Sequence, residues 1–141
     1  MRKLLLLVPL AALALALVPA SAGSAGSRVF APKDCVKPRV EPKRIIIACG
    51  DGNFFVNVQH WASFGGKEAT GKGLAYINDC GTNCSAGSFN VYAVKIHLTA
   101  PKLSTCGGRK VPVFSKIEVT FKTMPPKGLD SVEKFPLTCV P

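Results

Sequence analysis

Groups that serve acid–base catalysis are scarce in this 141-residue sequence. It contains only two histidines, His60 and His97, and eight acidic residues. Histidine is the side chain whose unperturbed pKa suits proton transfer near neutral pH. The G-x-S-x-G motif that places a nucleophilic serine on a sharp turn is also missing, so the sequence gives no support for a serine hydrolase of that type.

Long hydrophobic runs are limited to one, at the start of the chain. Arg2 and Lys3 precede an apolar stretch without charges, residues 4–18, and small residues follow up to Ala22. This order is typical of a secretory signal peptide, whereas a membrane anchor needs about 20 apolar residues. We expect cleavage after Ala22, with Ala25 as the alternative, and a secreted, extracellular mature protein without a membrane segment.

Acidic residues are greatly outnumbered by basic ones. The chain has 18 Lys and Arg against 8 Asp and Glu, a formal charge of +10 that falls to +8 when Arg2 and Lys3 leave with the signal peptide. Such an excess favours anionic partners, and nucleic acid, anionic lipid and anionic wall polymer are all compatible with it. A role in solubility alone is the alternative.

Cysteine is the residue type that most restricts the mature chain. All six cysteines follow the signal peptide, and export would place them in an oxidising compartment, so we expect three disulfides. Six cysteines allow 15 connectivities, and the sequence does not choose among them. Proximity along the chain favours Cys35 with Cys49, Cys80 with Cys84, and Cys106 with Cys139.

Strand patterns dominate the mature chain, and helical periodicity longer than two turns is missing. Residues 23–43 are rich in Pro, Gly and Ser and predict an extended lead-in. The strand predictions cover residues 45–49, 54–64, 74–78, 89–99 and 116–122, where apolar residues are continuous or alternate with polar ones. We therefore predict one all-β domain over 44–141, a small antiparallel β-sandwich or barrel stapled by disulfides, with an irregular C-terminal tail.

The stretch GKEATGKG, residues 66–73, matches most of a phosphate-binding loop. Gly73 replaces the Ser or Thr that would hold magnesium, and a strand pattern follows in place of a helix. We interpret the segment as a glycine-rich loop between strands ending near Phe64 and starting at Leu74. No nucleotide and no other cofactor is expected.

The candidate catalytic residues all have a simpler structural interpretation. His97 shares a polar face with Lys95 and is predicted to be an exposed surface residue. His60 alternates with valines and is predicted to be buried or half-buried. Asp51 and Asp79 adjoin turns, where an aspartate commonly accepts a backbone amide hydrogen bond. A small extracellular hydrolase using His60 or His97 with Asp51 or Asp79 is the alternative function.

Binding surfaces are the other candidates. Trp61, with Phe54, Phe55, Phe64 and Tyr76, predicts a core cluster, or alternatively a partly exposed binding platform. No metal site is expected, because Asp51 and its neighbours supply too few calcium ligands and the cysteines should be oxidised. The exposed bases expected to contact an anionic partner are Lys67, Lys72, Lys95, Lys116 and Lys122.

Four segments carry a family resemblance: IIIACGDGN, HWASFGGKEATGKGLAYINDCGTNCSAGSF, VYAVKIHLTAPK and FSKIEVTF. They resemble a group of small secreted actinobacterial proteins that remain uncharacterised. The shared landmarks are an I-x-x-A-C-x-D-G turn, a tryptophan in the next strand, and G-x-G before an N-x-C-x-x-x-C-x-x-G loop. The resemblance covers residues 45–121 and implies location and fold type, but no activity.

Together these features predict a secreted, non-catalytic binding module for an anionic or cell-envelope partner. Besides the hydrolase, a secreted inhibitor or toxin is an alternative. It would act on another extracellular protein through the disulfide loop, with residues 81–83 at its tip.

Overall fold

The computed structural model describes residues 28–141, and within them the fold is all-β and antiparallel, without helices. The predicted signal peptide and the start of the predicted lead-in lie outside these residues. The strands are β1 (Ala31–Pro32), β2 (Pro38–Arg39), β3 (Arg44–Ile46), β4 (Phe54–Gly65), β5 (Glu68–Asn78), β6 (Phe89–Cys106), β7 (Arg109–Phe121) and β8 (Val132–Pro136).

Six strands form one sheet in chain order, β3-β4-β5-β6-β7-β8, and β1 and β2 form a separate two-stranded sheet. Each strand of the large sheet pairs antiparallel with the next. Gly107 and Gly108 make the turn between β6 and β7 with φ of 52° and 76°. Two-residue turns of this kind need positive φ at both positions, which glycine adopts without strain.

The large sheet is curled into a half-barrel. The rings of Phe64 on β4 and Phe114 on β7 lie 5.7 Å apart, and those of Phe54 on β4 and Phe135 on β8 lie 5.2 Å apart. In a flat sheet with strands ~4.8 Å apart, these pairs would be separated by roughly 14 and 19 Å. Curling therefore brings distant strands together around one apolar interior.

The inner face of the half-barrel is the hydrophobic core. Its buried side chains come from β3 and from alternate positions of the long strands, and include Ile45, Val56, Val94, Ile96, Leu98, Ile117 and Val119. Residues before β1 close one side, since the Phe30 amide donates to the Pro112 carbonyl and the Phe114 amide donates to the Phe30 carbonyl. Ala31 is thereby fully buried against the core.

All three disulfides form, and the pairing favoured by proximity is confirmed: Cys35–Cys49, Cys80–Cys84 and Cys106–Cys139. The first joins the segment between β1 and β2 to the end of the β3 region, and the last joins the tip of the β6–β7 hairpin to the C-terminal segment. Three disulfides and no free cysteine in residues 28–141 indicate an oxidising environment.

The prediction of a glycine-rich loop over residues 66–73 was wrong in extent. Only Gly66 and Lys67 form the turn, and β5 already begins at Glu68. Gly71 and Gly73 face the core side of β5, and a Cβ at Gly73 would lie 2.2 Å from the carbonyl oxygen of Asn57 on β4. The glycines therefore allow close strand packing, and no phosphate-binding loop is formed.

Two other strand predictions need correction. The tail expected to be irregular contains β8. This strand pairs with the edge of β7 that is not paired with β6, and its Phe135 is half-buried next to the core. The predicted strand over residues 45–49 is shorter, because β3 ends at Ile46 and the chain turns towards the Cys35–Cys49 disulfide. The lead-in contains the small β1–β2 hairpin.

Candidate functional site

Polar and basic side chains from four neighbouring strands collect on the outer face of the half-barrel. On this face Lys72 of β5 lies directly opposite Lys95 of β6, and His60 of β4 lies opposite Lys72. Lys122, just past the end of β7, donates its amide to the carbonyl of Ala93, which places it beside the same strands. We call Lys72, Lys95 and Lys122 the lysine cluster.

A β-bulge places His60 on this face, so the prediction of a buried or half-buried histidine was wrong. Val58 pairs with Gly73 and His60 pairs with Lys72, so Gln59 is an extra residue in β4. An extra residue reverses the alternation of the strand beyond it. His60 therefore points outward and is exposed, although Val58 two residues earlier is in the core.

The lysine cluster surrounds a shallow depression of about 530 Å³. Besides the three lysines, the depression is lined by His60, Ala62, Thr70, Gly71, Ile96, His97, Glu118 and Thr120. Amine, imidazole and hydroxyl groups predominate among these, and Glu118 is the one carboxylate. Such a set can donate several hydrogen bonds to the oxygens of an anionic group.

His97 lies at the margin of this depression and interacts with an acid on the neighbouring strand. Its Nε2 is 2.9 Å from Glu68 Oε2, and its side chain is 37% exposed. As predicted, it shares the polar face with Lys95. Next to it, the hydroxyls of Ser63 and Thr70 are 2.9 Å apart. The Ser63–Thr70 hydrogen bond connects β4 and β5 on this surface of the sheet.

A second depression, of about 660 Å³, lies on the other side of His97 towards β8. It is lined by Lys116, Lys102 and Lys134, together with residues that carry hydroxyl groups and Phe135. Lys134 Nζ lies 3.5 Å from a Glu118 carboxylate oxygen. Of the five predicted binding lysines, three therefore form the cluster and Lys116 lies in the second depression. Lys67 lies apart, in the β4–β5 turn.

The two candidate catalytic aspartates are structural. The Asp51 carboxylate accepts a hydrogen bond of 3.0 Å from the Asn53 amide, which lowers the pKa of Asp51, as does the side chain of Asn53. The Asp79 carboxylate accepts the amides of Gly81 and Ser88 at 3.3 and 2.9 Å. Both carboxylates thus serve the turns that contain them, as the sequence predicts.

The structure separates these aspartates from the histidines. Asp79 follows the end of β5 at Asn78, and Asp51 lies at the same end, because the Asn78 amide donates to the carbonyl of Asn53, two residues after Asp51. His60 and His97 are opposite positions 72 and 70 of the same strand. At about 3.3 Å per residue, the separation along β5 exceeds roughly 20 Å. The predicted histidine–aspartate pairs do not form, and the hydrolase alternative loses its acid–base partner.

The aromatic residues that the sequence groups together lie on two faces. Trp61 packs edge-on against Phe64 with centroids 4.9 Å apart, and its Nε1 donates to the Pro42 carbonyl at 3.2 Å, so this part belongs to the core. Phe55 and Tyr76 lie on the outer face instead. Their rings are parallel within 8° and 4.9 Å apart.

Sequence reasoning missed two residues of this outer cluster. Phe89 lies 5.5 Å from the ring of Phe55, and the Arg44 guanidinium lies 3.6 Å above that ring. The alternation of β3 and β6 could have placed both residues on the outer face, but it does not show which strands lie close together.

The structure assigns no metal site and no membrane-spanning helix to residues 28–141. No three His, Cys, Asp or Glu side chains in this range meet in a way that could hold an ion. Likewise, none of its segments forms a helix able to cross a bilayer.

Comparisons with protein-family models, curated proteins and solved structures found no match.

Proposed function

We propose that this protein is a secreted, non-catalytic binding module whose lysine cluster recognises an anionic partner, such as a component of the cell envelope. The cluster combines Lys72, Lys95 and Lys122 with His60 and hydroxyl groups around one depression. Cationic groups in a shallow surface site attract anions over roughly a Debye length, about 8 Å at physiological salt.

One observation carries this proposal: Lys72 and Lys95 are directly opposite each other on adjacent strands. Like charges in that position destabilise a sheet, whereas opposite charges stabilise it. Among residues 28–141 the ion pairs are His97–Glu68 and Lys134–Glu118, and neither engages the cluster. Glu118 also lines the depression, but none of the three lysines forms an ion pair with an acid of residues 28–141. An arrangement of like charges that costs stability and stays unpaired is explained if the partner is an external anion.

Three disulfides support a site of action outside the cell, because such bonds persist in oxidising compartments. The apolar start of the sequence and the resemblance to small secreted actinobacterial proteins imply the same location. Under this proposal, the anionic polymers and lipids of a cell envelope are the partners that the protein meets first.

The proposal is tested by charge reversal in the oxidised mature protein. The triple variant Lys72→Glu, Lys95→Glu, Lys122→Glu is compared with wild type and with a control of equal charge, Lys67→Glu, Lys110→Glu, Lys127→Glu. Lys67 and Lys127 lie in turns and Lys110 lies near the tip of the β6–β7 hairpin, and none of them lines the depression at the cluster. Retention on immobilised heparin is measured at low and at high salt, and far-UV circular dichroism checks that each variant is folded.

We expect wild type to be retained at low salt and released at high salt, because screening weakens contacts between exposed charges. The cluster variant should elute early, while the control should stay much closer to wild type. Equal retention of the two variants would mean that only net charge matters, and would overturn the proposed site.

A further inference from the structure

The outer face continues from the lysine cluster into an aromatic and aliphatic surface. Along β5 and β6, the Lys72–Lys95 pair is followed by Leu74 opposite Ala93, and next by Tyr76 opposite Val91. Phe89 then lies opposite Asn78 at the end of the sheet. We call Phe55, Tyr76, Phe89 and Val91 the aromatic patch. Only the Leu74–Ala93 pair separates it from the cluster along these strands.

The aromatic patch is closely packed on one side and exposed on the other. Phe55 is held between the stacked ring of Tyr76 and the guanidinium of Arg44, and it is 9% exposed. Phe89 and Val91, by contrast, are 46% and 50% exposed. Large apolar side chains that project from a rigid base beside cations are typical of an interaction surface.

The loop next to the patch is free of charge over residues 80–91. It is tied by the Cys80–Cys84 disulfide, and the Asn78 side chain donates to the Cys84 carbonyl at 2.9 Å. The acids at this end of the sheet, Asp51 and Asp79, accept amide hydrogen bonds from their own turns. Because the loop contains no lysine, arginine, aspartate or glutamate, it can approach an apolar phase without the cost of taking a charged side chain out of water.

We propose that the outer face docks on a bilayer surface that contains anionic lipid. This inference rests on the proposed function, because the lysine cluster supplies the contact with headgroup phosphates. The aromatic patch, through Phe89 and Val91, enters the boundary between headgroups and acyl chains. Arg44, which stacks on Phe55 of the patch, and Lys122 of the cluster have long side chains that can keep their charge in the headgroup layer.

A bilayer explains this face better than a soluble polyanion does. A polyanion would use the lysines and leave Phe89 and Val91 in water. An interfacial site combines apolar and aromatic groups at the acyl boundary with cations facing anionic headgroups. The opposed residue pairs of β5 and β6 on this face run from lysines at one end to exposed apolar side chains at the other, which matches that combination.

The test separates the patch from the cluster with two probes: vesicles of phosphatidylglycerol and phosphatidylcholine, and immobilised heparin. The patch variant is Phe89→Ser, Val91→Ser. Its matched control is Leu103→Ser, Met124→Ser, which removes two exposed apolar side chains, 60% and 86% exposed, outside the patch. The cluster charge-reversal variant completes the set, and binding to vesicles is measured by co-sedimentation.

We expect the patch variant to lose on the order of tenfold in vesicle affinity, because two half-exposed apolar side chains no longer enter the bilayer. Its heparin retention should be unchanged, and the apolar control should match wild type on both probes. Each lysine removed near an anionic surface should lower vesicle affinity by about fivefold, so the cluster variant should lose both activities.

Two outcomes would overturn the inference and leave the proposed function standing. One is vesicle binding by the patch variant equal to that of its control. The other is wild-type binding to heparin with no binding to vesicles, which would favour a soluble or wall-bound polyanion. If the cluster variant retained both activities, the proposed function itself would fail.

Discussion

The opposed lysines of the outer face predict that a charge reversal will stabilise the protein while weakening its binding. Lys95→Glu places a carboxylate directly opposite Lys72 and close to Lys122. Directly opposite side chains have Cβ atoms about 5 Å apart, so the repulsion becomes a cross-strand attraction.

The magnitude follows from the values for exposed cross-strand pairs. An opposite-charge pair contributes about 0.2–1 kcal/mol, and a like-charge pair costs a similar amount. The reversal should therefore raise the free energy of unfolding by about 0.5–1.5 kcal/mol. For a domain of this size that corresponds to an increase in Tm of roughly 2–8 °C.

Thermal and urea unfolding of wild type, Lys95→Glu and the control Lys110→Glu measure this effect. Lys110 is opposite the uncharged Thr105 near the tip of the β6–β7 hairpin. Its reversal therefore lowers the net charge without changing a pair of opposed lysines. Unfolding is repeated in 1 M salt, where the Debye length is about 3 Å and the gain should largely vanish. A Lys95→Glu protein that is no more stable than Lys110→Glu at low salt would refute the reasoning.

Three further predictions concern the scaffold and can be followed by urea unfolding. Gly73→Ala should destabilise by about 1–3 kcal/mol, because its Cβ would collide with β4, whereas Gly50→Ala meets nothing within 4 Å and should behave like wild type. Replacing Cys106 and Cys139 by serine should cost nearly 4 kcal/mol on the loop-entropy model, given a separation of 33 residues; a loss as small as that expected for a four-residue loop, about 2 kcal/mol, would contradict that model here. The pKa of Asp51 is lowered on folding from 3.8, so its contribution is present above that pH and is lost as the pH falls through the folded pKa; Asp51→Asn should show a weaker loss of stability in acid than wild type.

Alternation of apolar residues predicted the long strands of the sheet because one face of each strand is the core. Residues 54–64, 89–99 and 116–122 lie in β4, in β6 and mainly in β7. In β5 the same signal identified residues 74–78 but missed residues 68–73, where two of the core-facing positions are glycine. Their role depends on the close approach of β4, and no local pattern in β5 shows that contact.

The candidate site was only partly predictable for a similar reason. The sequence identified the basic residues and placed Lys95 and His97 on a common face, but it assigned His60 to the opposite side. The bulge at Gln59 is a property of the β4–β5 pairing, and a single-strand pattern carries no trace of it. Likewise, only the pairing of β5 with β6 shows that Lys72 opposes Lys95.

The two faces of the sheet explain why the sequence grouped the aromatic residues wrongly. Phe54, Trp61 and Phe64 face the inside of the half-barrel, where Phe54 packs on Phe135 and Trp61 packs on Phe64, while Phe55 and Tyr76 stack outside. Residues close in sequence thus belong to two surfaces with different roles. The division follows from strand pleating in β4 and from the pairing of β4 with β5.

The salt dependence of polyanion binding tests the central claim most directly. Affinity for heparin is measured over a range of salt concentrations for wild type and for Lys72→Gln, Lys95→Gln, Lys122→Gln. Log affinity falls as log salt concentration rises. If the three lysines contact anionic groups, this slope should be less steep in the variant by roughly two to three, since each contact releases about one counterion. Equal slopes for the two proteins would contradict the account.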